Sequence, residues 1–362
     1  MVVTNDSMSE AYLNFYGCVV KVVSLDQKCV ENAHRDFSYF FCPQPPKEPP
    51  SVTIRLHREA PPQTPAQAKR VLQTKEGICY EYERIRYVDY SGKALARYDF
   101  RSEEGKVFSL DDNTLHEISY VMILSRVGEM LDRRGIHRIH SVGVAIKGSA
   151  AICLLPTGGG KTTLGLELIK EKDCFLLSDE VTAIDRSLHV LPFPLRIGLV
   201  ATDRVAPEIP VRHLRSFHTI AHGTKTLIDL EVFMQKVATE PARLEAVMLG
   251  VRKDFKKPEL KRLSKLTALY HILKNITLAY QLPQTKAYFF RFDLRYWMTL
   301  CSILISRILT GIKIALSVNC YRLCLTGNRS EDAKLMANLL RKRENKETVG
   351  RAQDAGGDRA LL

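Results

Sequence analysis

The chain has 362 residues, of which 45% are hydrophobic and 26% are charged, a composition typical of globular proteins with room for two domains. The formal net charge is +13 at pH 7, so an acidic ligand or a solvated basic surface must be considered. Nine cysteines are scattered without a Cys-x-x-Cys pair, which favours reduced thiols and argues against a metal–thiolate site.

The first 135 residues predict a β-rich N-terminal domain that ends in a helix. Strand patterns occur in "GCVVKVVSL", "SVTIRLHRE", "ICYEYERIRYVDY" and "GKALARYDF", with a hairpin turn at Ser91-Gly92. The helix follows in "SLDDNTLHEISYVMILSRVGEMLDRRG", with Asp111, Asp112 or Asn113 as N-cap and Gly135 as the stop. No catalytic motif is legible in this part.

The second predicted domain spans 136–344, and a tail from 345 to 362 is too polar to fold by itself. The first element of the second domain, "IHRIHSVGVAIKGSAAICLLP", predicts a hairpin that turns at 147–149. Residues 297–318 are strongly apolar, but Arg307 and Lys313 interrupt them. They predict a buried helix that ends near Gly311 and is followed by a strand. We therefore expect a soluble, cytoplasmic protein, also because the chain opens without a signal-like apolar block.

The stretch "LLPTGGGKTT" after this hairpin predicts a phosphate-binding loop. Its end, Gly-Lys-Thr, fits the P-loop pattern, although Leu155 replaces the first glycine of that pattern. Three glycines can turn successive amides inward, and "KTTLGLELIKEK" predicts a helix whose N-terminus favours phosphate. Lys161 would then reach the β- and γ-phosphates, and Thr162 would bind Mg²⁺. The predicted ATP-binding residues are Thr157, Gly158, Gly159, Gly160, Lys161, Thr162 and Thr163. The alternative is a flexible glycine turn.

Two acids end the next apolar run, "CFLLSDEVTAID". Asp179 and Glu180 follow a predicted buried strand, where carboxylates can hold Mg²⁺ or accept a proton. The alternative is a polar strand end that begins a turn. Together with Thr162, these two residues form the predicted metal site.

The segment "GSAAICLLPTGGGKTTLGLELIKEKDCFLLSDEVTAID" resembles the HPr kinase/phosphorylase family, which shares its P-loop fold with phosphoenolpyruvate carboxykinases. The likeness covers about residues 136–340, although the family usually has Asp-Asp at Asp179-Glu180. It implies an α/β (α+β) fold with a P-loop core and a mixed sheet, preceded by the β-rich part. It also implies three catalytic residues: Asp179 as base, His140 near the transferring phosphate, and Arg196 as a phosphate or substrate contact.

The resemblance implies an ATP- and Mg²⁺-dependent kinase that phosphorylates a serine or another hydroxyl of a protein or peptide; a small-molecule hydroxyl also stays open. The alternative is a nucleotide-binding regulatory module of a peptide-modification cassette with little transfer activity. We expect neither nucleic acid nor a membrane as partner, and a homo-oligomer stays open. The basic stretch 251–265 is interpreted as a solvated surface beside a helix that carries Leu266, Leu269, Leu273 and Ile276 on one face.

Overall fold

The structure is a computed structural model that describes residues 8–156, 158–200, 209–219, 223–252, 255–277, 287–289, 291 and 294–342. The chain divides into two compact units. The first comprises Met1–Arg134, Leu195–Val232 and Leu282–Cys301, and the second comprises Gly135–Pro194, Phe233–Gln281 and Ser302–Leu362. The break after Arg134 lies beside the predicted boundary, whereas the sequence analysis assigned the two later segments of the first unit to the second domain. The predicted tail, 345–362, lies outside the described residues.

Nine strands form the main sheet of the first unit. They are β1 (Ser9–Phe15), β2 (Cys18–Ser24), β3 (Phe41–Cys42), β4 (Val52–His57), β5 (Lys69–Gln73), β6 (Ile78–Tyr82), β7 (Ile85–Asp89), β8 (Ala94–Asp99) and β9 (Glu104–Ser109). The spatial order is β3-β1-β2-β4-β9-β8-β7-β6-β5, with β4 parallel to both neighbours. The long run "ICYEYERIRYVDY" forms two strands, because Glu83 and Arg84 take positive φ values that suit a tight hairpin turn.

Among the described residues, the helices α1 (Gln27–Asp36) and α2 (Asp112–Arg133) lie wholly in this unit. The predicted N-cap of α2 is confirmed: the Asp111 carboxylate accepts a hydrogen bond from the backbone N–H of Thr114 at 2.8 Å. Leu115, Ile118 and Met122 are buried, as their helical spacing predicts. The short, polar α1 was not predicted from the sequence.

Nine further strands form a mixed sheet in the second unit. They are β10 (His137–Ile139), β11 (Val142–Ile146), β12 (Ser149–Leu154), β13 (Cys174–Ser178), β14 (Thr182–Ile184), β15 (His189–Leu191), β19 (Ala242–Arg252), β20 (Glu259–Arg262) and β21 (Asn319–Leu325). The order is β10-β14-β15-β19-β12-β11-β13, with β21 beside β19 and β20 beside β21. The predicted hairpin is confirmed as β11–β12. Strand β19 runs parallel to both β12 and β21.

Helices cover both faces of this sheet. They are α3 (Lys161–Leu168), α4 (Lys265–Thr277), α5 (Leu294–Ser317) and α6 (residues 329–342). Alternate residues of β12 enter different cores: Ile152 packs in the cluster that includes α4 and α5, and Cys153 packs in the cluster that includes α3 and α6. The mixed sheets with helices agree with the predicted α+β class.

A small antiparallel sheet belongs to the first unit although its strands come late in the chain. Its strands are β16 (Ile197–Val200), β17 (Leu214–Thr219) and β18 (Gly223–Ile228), with β18 in the centre. These strands were not predicted from the sequence, since the runs are short and interrupted by charged residues.

Two predictions about the last helices are wrong. The apolar helix does not end near Gly311, because α5 continues to Ser317. A Cβ on Gly311 would lie 2.8 Å from Cδ2 of Leu273, so this glycine permits a close contact between α5 and α4. Leu266 does not share the buried face of α4, where Ala268, Ile272 and Ile276 pack. It is 80% exposed.

One stretch among the described residues, Tyr296–Ser317 in α5, is long and apolar enough to cross a membrane, with a mean hydropathy of 1.7. This is weak evidence for a membrane span, because a core helix of a soluble protein passes the same test. The soluble, cytoplasmic placement remains a prediction.

We expect Gly250→Ala to destabilise the protein by about 1–3 kcal/mol, the usual cost of overpacking a core. A Cβ there would lie 2.7 Å from Cγ of buried Leu155, a branch atom that has little room to move. Gly198→Ala is the matched strand control, since its Cβ would meet nothing closer than 3.7 Å. Chemical denaturation measures both, and an equal effect of the two variants would contradict this account.

Candidate functional site

The glycine loop joins the end of β12 to the start of α3, as the sequence predicts. Gly158 and Gly160 have φ values of 73° and 92°, a region that favours glycine. A Cβ on Gly159 would lie 2.9 Å from the carbonyl oxygen of Pro156. The conformation of the loop therefore requires glycine at all three positions. Thr157 lies outside the described residues.

The N-terminus of α3 begins directly after these glycines. Gly160 is the N-cap, and no side chain caps the helix. The first N–H groups of a helix have no partner within it, and here they belong to Lys161, Thr162 and Thr163. Since these N–H groups and the helix dipole attract negative charge, this end of α3 is able to bind an anion such as phosphate.

The Lys161 ammonium lies at the same loop. Its Nζ donates hydrogen bonds to the carbonyl oxygens of Leu155 and Pro156, both at 3.0 Å. Burial lowers the pKa of this ammonium, and the nearby carboxylates of Glu180 and Asp179 oppose that effect. The loop thus holds a buried positive charge beside the free N–H groups of α3.

Asp179 joins the loop helix to the end of β13. The Thr162 hydroxyl donates a hydrogen bond to Oδ2 of Asp179 at 3.0 Å. The other oxygen, Oδ1, is buried and accepts no hydrogen bond. Burial raises the pKa of this carboxyl to about 7, although the Thr162 hydrogen bond lowers it in part. A carboxyl with this pKa can exchange a proton near neutral pH.

His140 lies in the short connection between β10 and β11. Ile139 of β10 pairs with Thr182 of β14, and Gly143 of β11 pairs with Ser178 of β13. The connection that contains His140 therefore runs beside the connection that contains Asp179 and Glu180. His140 is buried and Glu180 is exposed. The backbone thus places the connection with His140 beside the one with Asp179 and Glu180, while the catalytic and metal roles of these residues remain predictions.

Arg252 is a cation at the loop that the sequence analysis did not single out. It is the last residue of β19, the parallel neighbour of β12. Its Nη1 lies 3.6 Å from the position that a Cβ on Gly160 would occupy. Its side chain is exposed. The available signal was its place at the end of an apolar strand, but neighbouring basic residues made it look like part of a solvated stretch.

Arg196 belongs to the first unit, and the loop belongs to the second. Its Nη1 donates a hydrogen bond to Oδ2 of Asp36 at 2.7 Å, and its guanidinium lies 3.8 Å from the ring centre of Tyr120. Asp36 also accepts a hydrogen bond from Arg215. The Arg196 side chain is therefore held in a buried ion-pair network. Its role as a phosphate or substrate contact remains a prediction.

The described residues contain no group of three or more His, Cys, Asp or Glu side chains that could hold a metal ion. Magnesium beside a P-loop needs fewer protein ligands, because phosphate oxygens and water complete its shell. Neighbouring ligands in an octahedral shell of about 2.1 Å radius are about 3.0 Å apart. The Thr162 hydroxyl and the Asp179 carboxylate have this separation, which is also that of an ordinary hydrogen bond, so the pair agrees with a Mg²⁺ site without indicating one.

The sequence matches no protein-family model and no curated protein.

We expect the contribution of Asp179 to the stability of the protein to fall as the pH rises from about 4 to 7. In this window the folded state keeps a proton that the unfolded chain has released, since the folded pKa is about 7 and the ordinary value is 3.8. Asp179→Asn cannot ionise, so its stability relative to the wild type should increase by up to about 4 kcal/mol between pH 4 and 8. Denaturant titrations at several pH values measure this difference.

Glu180→Gln is the control for this prediction, because it removes an exposed neighbouring carboxylate. The same pH dependence in both variants would contradict the assignment of the effect to burial of Asp179.

Proposed function

We propose that this protein is an ATP-dependent kinase of the HPr kinase-like type, which transfers the γ-phosphate to a hydroxyl of a protein or peptide. The contact between the Thr162 hydroxyl and the Asp179 carboxylate carries the proposal. It joins an anion-binding helix N-terminus to a buried carboxyl whose pKa lies near 7. A kinase uses an anion site for the phosphates of ATP and a group that receives the proton of the acceptor hydroxyl.

The binding roles follow from charge and geometry. The N–H groups at the start of α3 and the Lys161 ammonium would hold the phosphates of ATP. Arg252 would add a second positive charge over the same loop. Thr162 and Asp179, with Glu180 nearby, would hold Mg²⁺, which neutralises phosphate charge when bound.

The chemical step would move one proton and one phosphoryl group. The acceptor oxygen forms a bond to the γ-phosphorus, the bond from that phosphorus to the β-phosphate oxygen breaks, and ADP leaves. Asp179 would accept the proton of the acceptor hydroxyl, which would have to approach a carboxyl that is buried in this structure. His140 would orient the carboxylate or contact the transferring phosphate. A regulatory module that only binds nucleotide would use Asp179 as a metal ligand at most and would not need it as a base.

We expect Lys161→Ala to weaken the binding of Mg-ATP about tenfold or more, because it removes a charge-assisted hydrogen bond to phosphate, worth about 1.5–3 kcal/mol. Isothermal titration calorimetry measures the affinity. Lys170→Ala is the control, since Lys170 lies just beyond α3 and pairs with Glu167 at the surface. Equal affinities of wild type and Lys161→Ala would contradict the phosphate-loop interpretation.

We expect Asp179→Asn to keep its ATP affinity, apart from the effect of one lost metal contact, and to lose phosphoryl transfer by about 10²–10⁴-fold, the usual contribution of a general base. The assay follows radiolabelled phosphate from ATP to peptides and proteins encoded by neighbouring genes. Asp173→Asn, which changes an exposed aspartate before β13, should behave like the wild type. A wild-type protein that binds ATP but labels none of these acceptors would favour the regulatory module.

A further inference from the structure

Large apolar side chains line the outward face of α4 and of the part of α5 that belongs to the second unit. We name these residues the α4–α5 face. Their exposed fractions are 80% for Leu266, 63% for Tyr270, 58% for Ile305, 38% for Ile308, 60% for Leu309 and 64% for Leu316. Single exposed apolar residues are common, but six on two neighbouring helices suggest an interaction surface.

Contacts between the two helices fix this face. Nζ of Lys265, the first residue of α4, donates a hydrogen bond to the carbonyl oxygen of Leu316 near the end of α5, at 2.7 Å. At the opposite end, buried Arg307 donates one to the carbonyl oxygen of Ile276, also at 2.7 Å. The helices are therefore antiparallel neighbours. Their inner sides pack in the core through residues such as Ile272 and Ile314, so the outer sides cannot turn inward without emptying that core.

The charged residues on the two helices of this face have one sign. Residues 260–277 and 294–325 contain no aspartate or glutamate. Strand β20 leads into α4 and carries exposed Lys261 and Arg262, and Lys261 pairs with Glu259 of the same strand. Lys265 and Lys313 are exposed on the helices themselves. An apolar surface whose neighbouring charges are mostly cations complements an anionic surface with an apolar layer beneath it.

We propose that the α4–α5 face docks on an anionic lipid bilayer. The apolar side chains enter the boundary between headgroups and acyl chains, and the lysines and arginines meet the lipid phosphates. A second copy of the chain fits less well, because its identical face offers no carboxylate to these cations.

The helices lie in the plane of the membrane surface and do not cross it. The other side of α5 is part of the sheet core, and 39% of its most apolar window is buried in the protein. This proposal departs from the sequence-based expectation of no membrane partner, because the sequence alone did not show which side of α5 faces outward. It does not depend on the proposed kinase activity.

Sedimentation of the full chain with vesicles of equimolar phosphatidylglycerol and phosphatidylcholine, at about 0.15 M salt, tests the proposal. We expect binding to these vesicles, little binding to pure phosphatidylcholine, and at least roughly tenfold weaker binding after Leu309→Glu with Leu316→Glu. The control combines Leu25→Glu with Leu110→Glu, which places the same charges at exposed leucines of the first unit. Circular dichroism checks that both double variants are folded.

Absence of binding by the wild type would overturn the proposal. So would an equal loss of binding in both double variants, because the net charge and not the α4–α5 face would then be responsible. Light scattering gives a further outcome: a dimer that Leu309→Glu with Leu316→Glu disrupts, without vesicle binding by the wild type, would assign the face to a second copy.

Discussion

The pairing of β12 with β19 on one side and with β11 on the other positions the candidate functional groups around the glycine loop. Parallel strands end at the same edge of a sheet, so the loop after Leu154 and the guanidinium of Arg252 lie at one edge. Gly250 leaves the space that the Leu155 side chain fills directly before the loop. On the other side of β12, the hairpin partner β11 pairs with β13 and so brings the end of that strand, with Asp179, to the start of α3.

The pKa values of two buried aspartates, Asp36 and Asp179, are shifted in opposite directions. Burial would raise the pKa of Asp36, but Arg196, His116 and Arg215 outweigh burial and hold that pKa well below its usual range. Asp179 has one hydrogen bond from Thr162 and a pKa near 7. Burying a poorly compensated carboxyl opposes folding, so a protein gains nothing in stability from it. Such residues are concentrated at functional sites, which supports the role proposed for Asp179.

The basic excess of the chain has more than one location. Lys161 and Arg252 lie at the glycine loop, where anionic phosphate would bind. Lys261 and Arg262 border the α4–α5 face. We propose that the loop binds the phosphates of ATP and that the α4–α5 face binds lipid phosphates, and the two proposals depend on different contacts. The net charge of +13 alone could not distinguish between them.

The sequence by itself determined the local elements of the site. The hairpin β11–β12, the loop, α3 and the strand before Asp179 were all predicted, because each depends on nearby residues: alternating apolar residues, glycines, or helical spacing. The N-cap of α2 was predicted for the same reason. The assignment of Asp179 as base came from a resemblance and remains a proposal.

Only the tertiary structure decided which surfaces these elements meet. Arg196 donates a hydrogen bond to Asp36, and Arg252 lies beside Gly160. The segment Leu195–Val232 belongs to the first unit. Leu266 and the outer side of α5 are exposed, and α5 extends past Gly311. Periodicity along the chain shows that a helix has an apolar side, but how much of that side is covered depends on contacts between residues far apart in sequence.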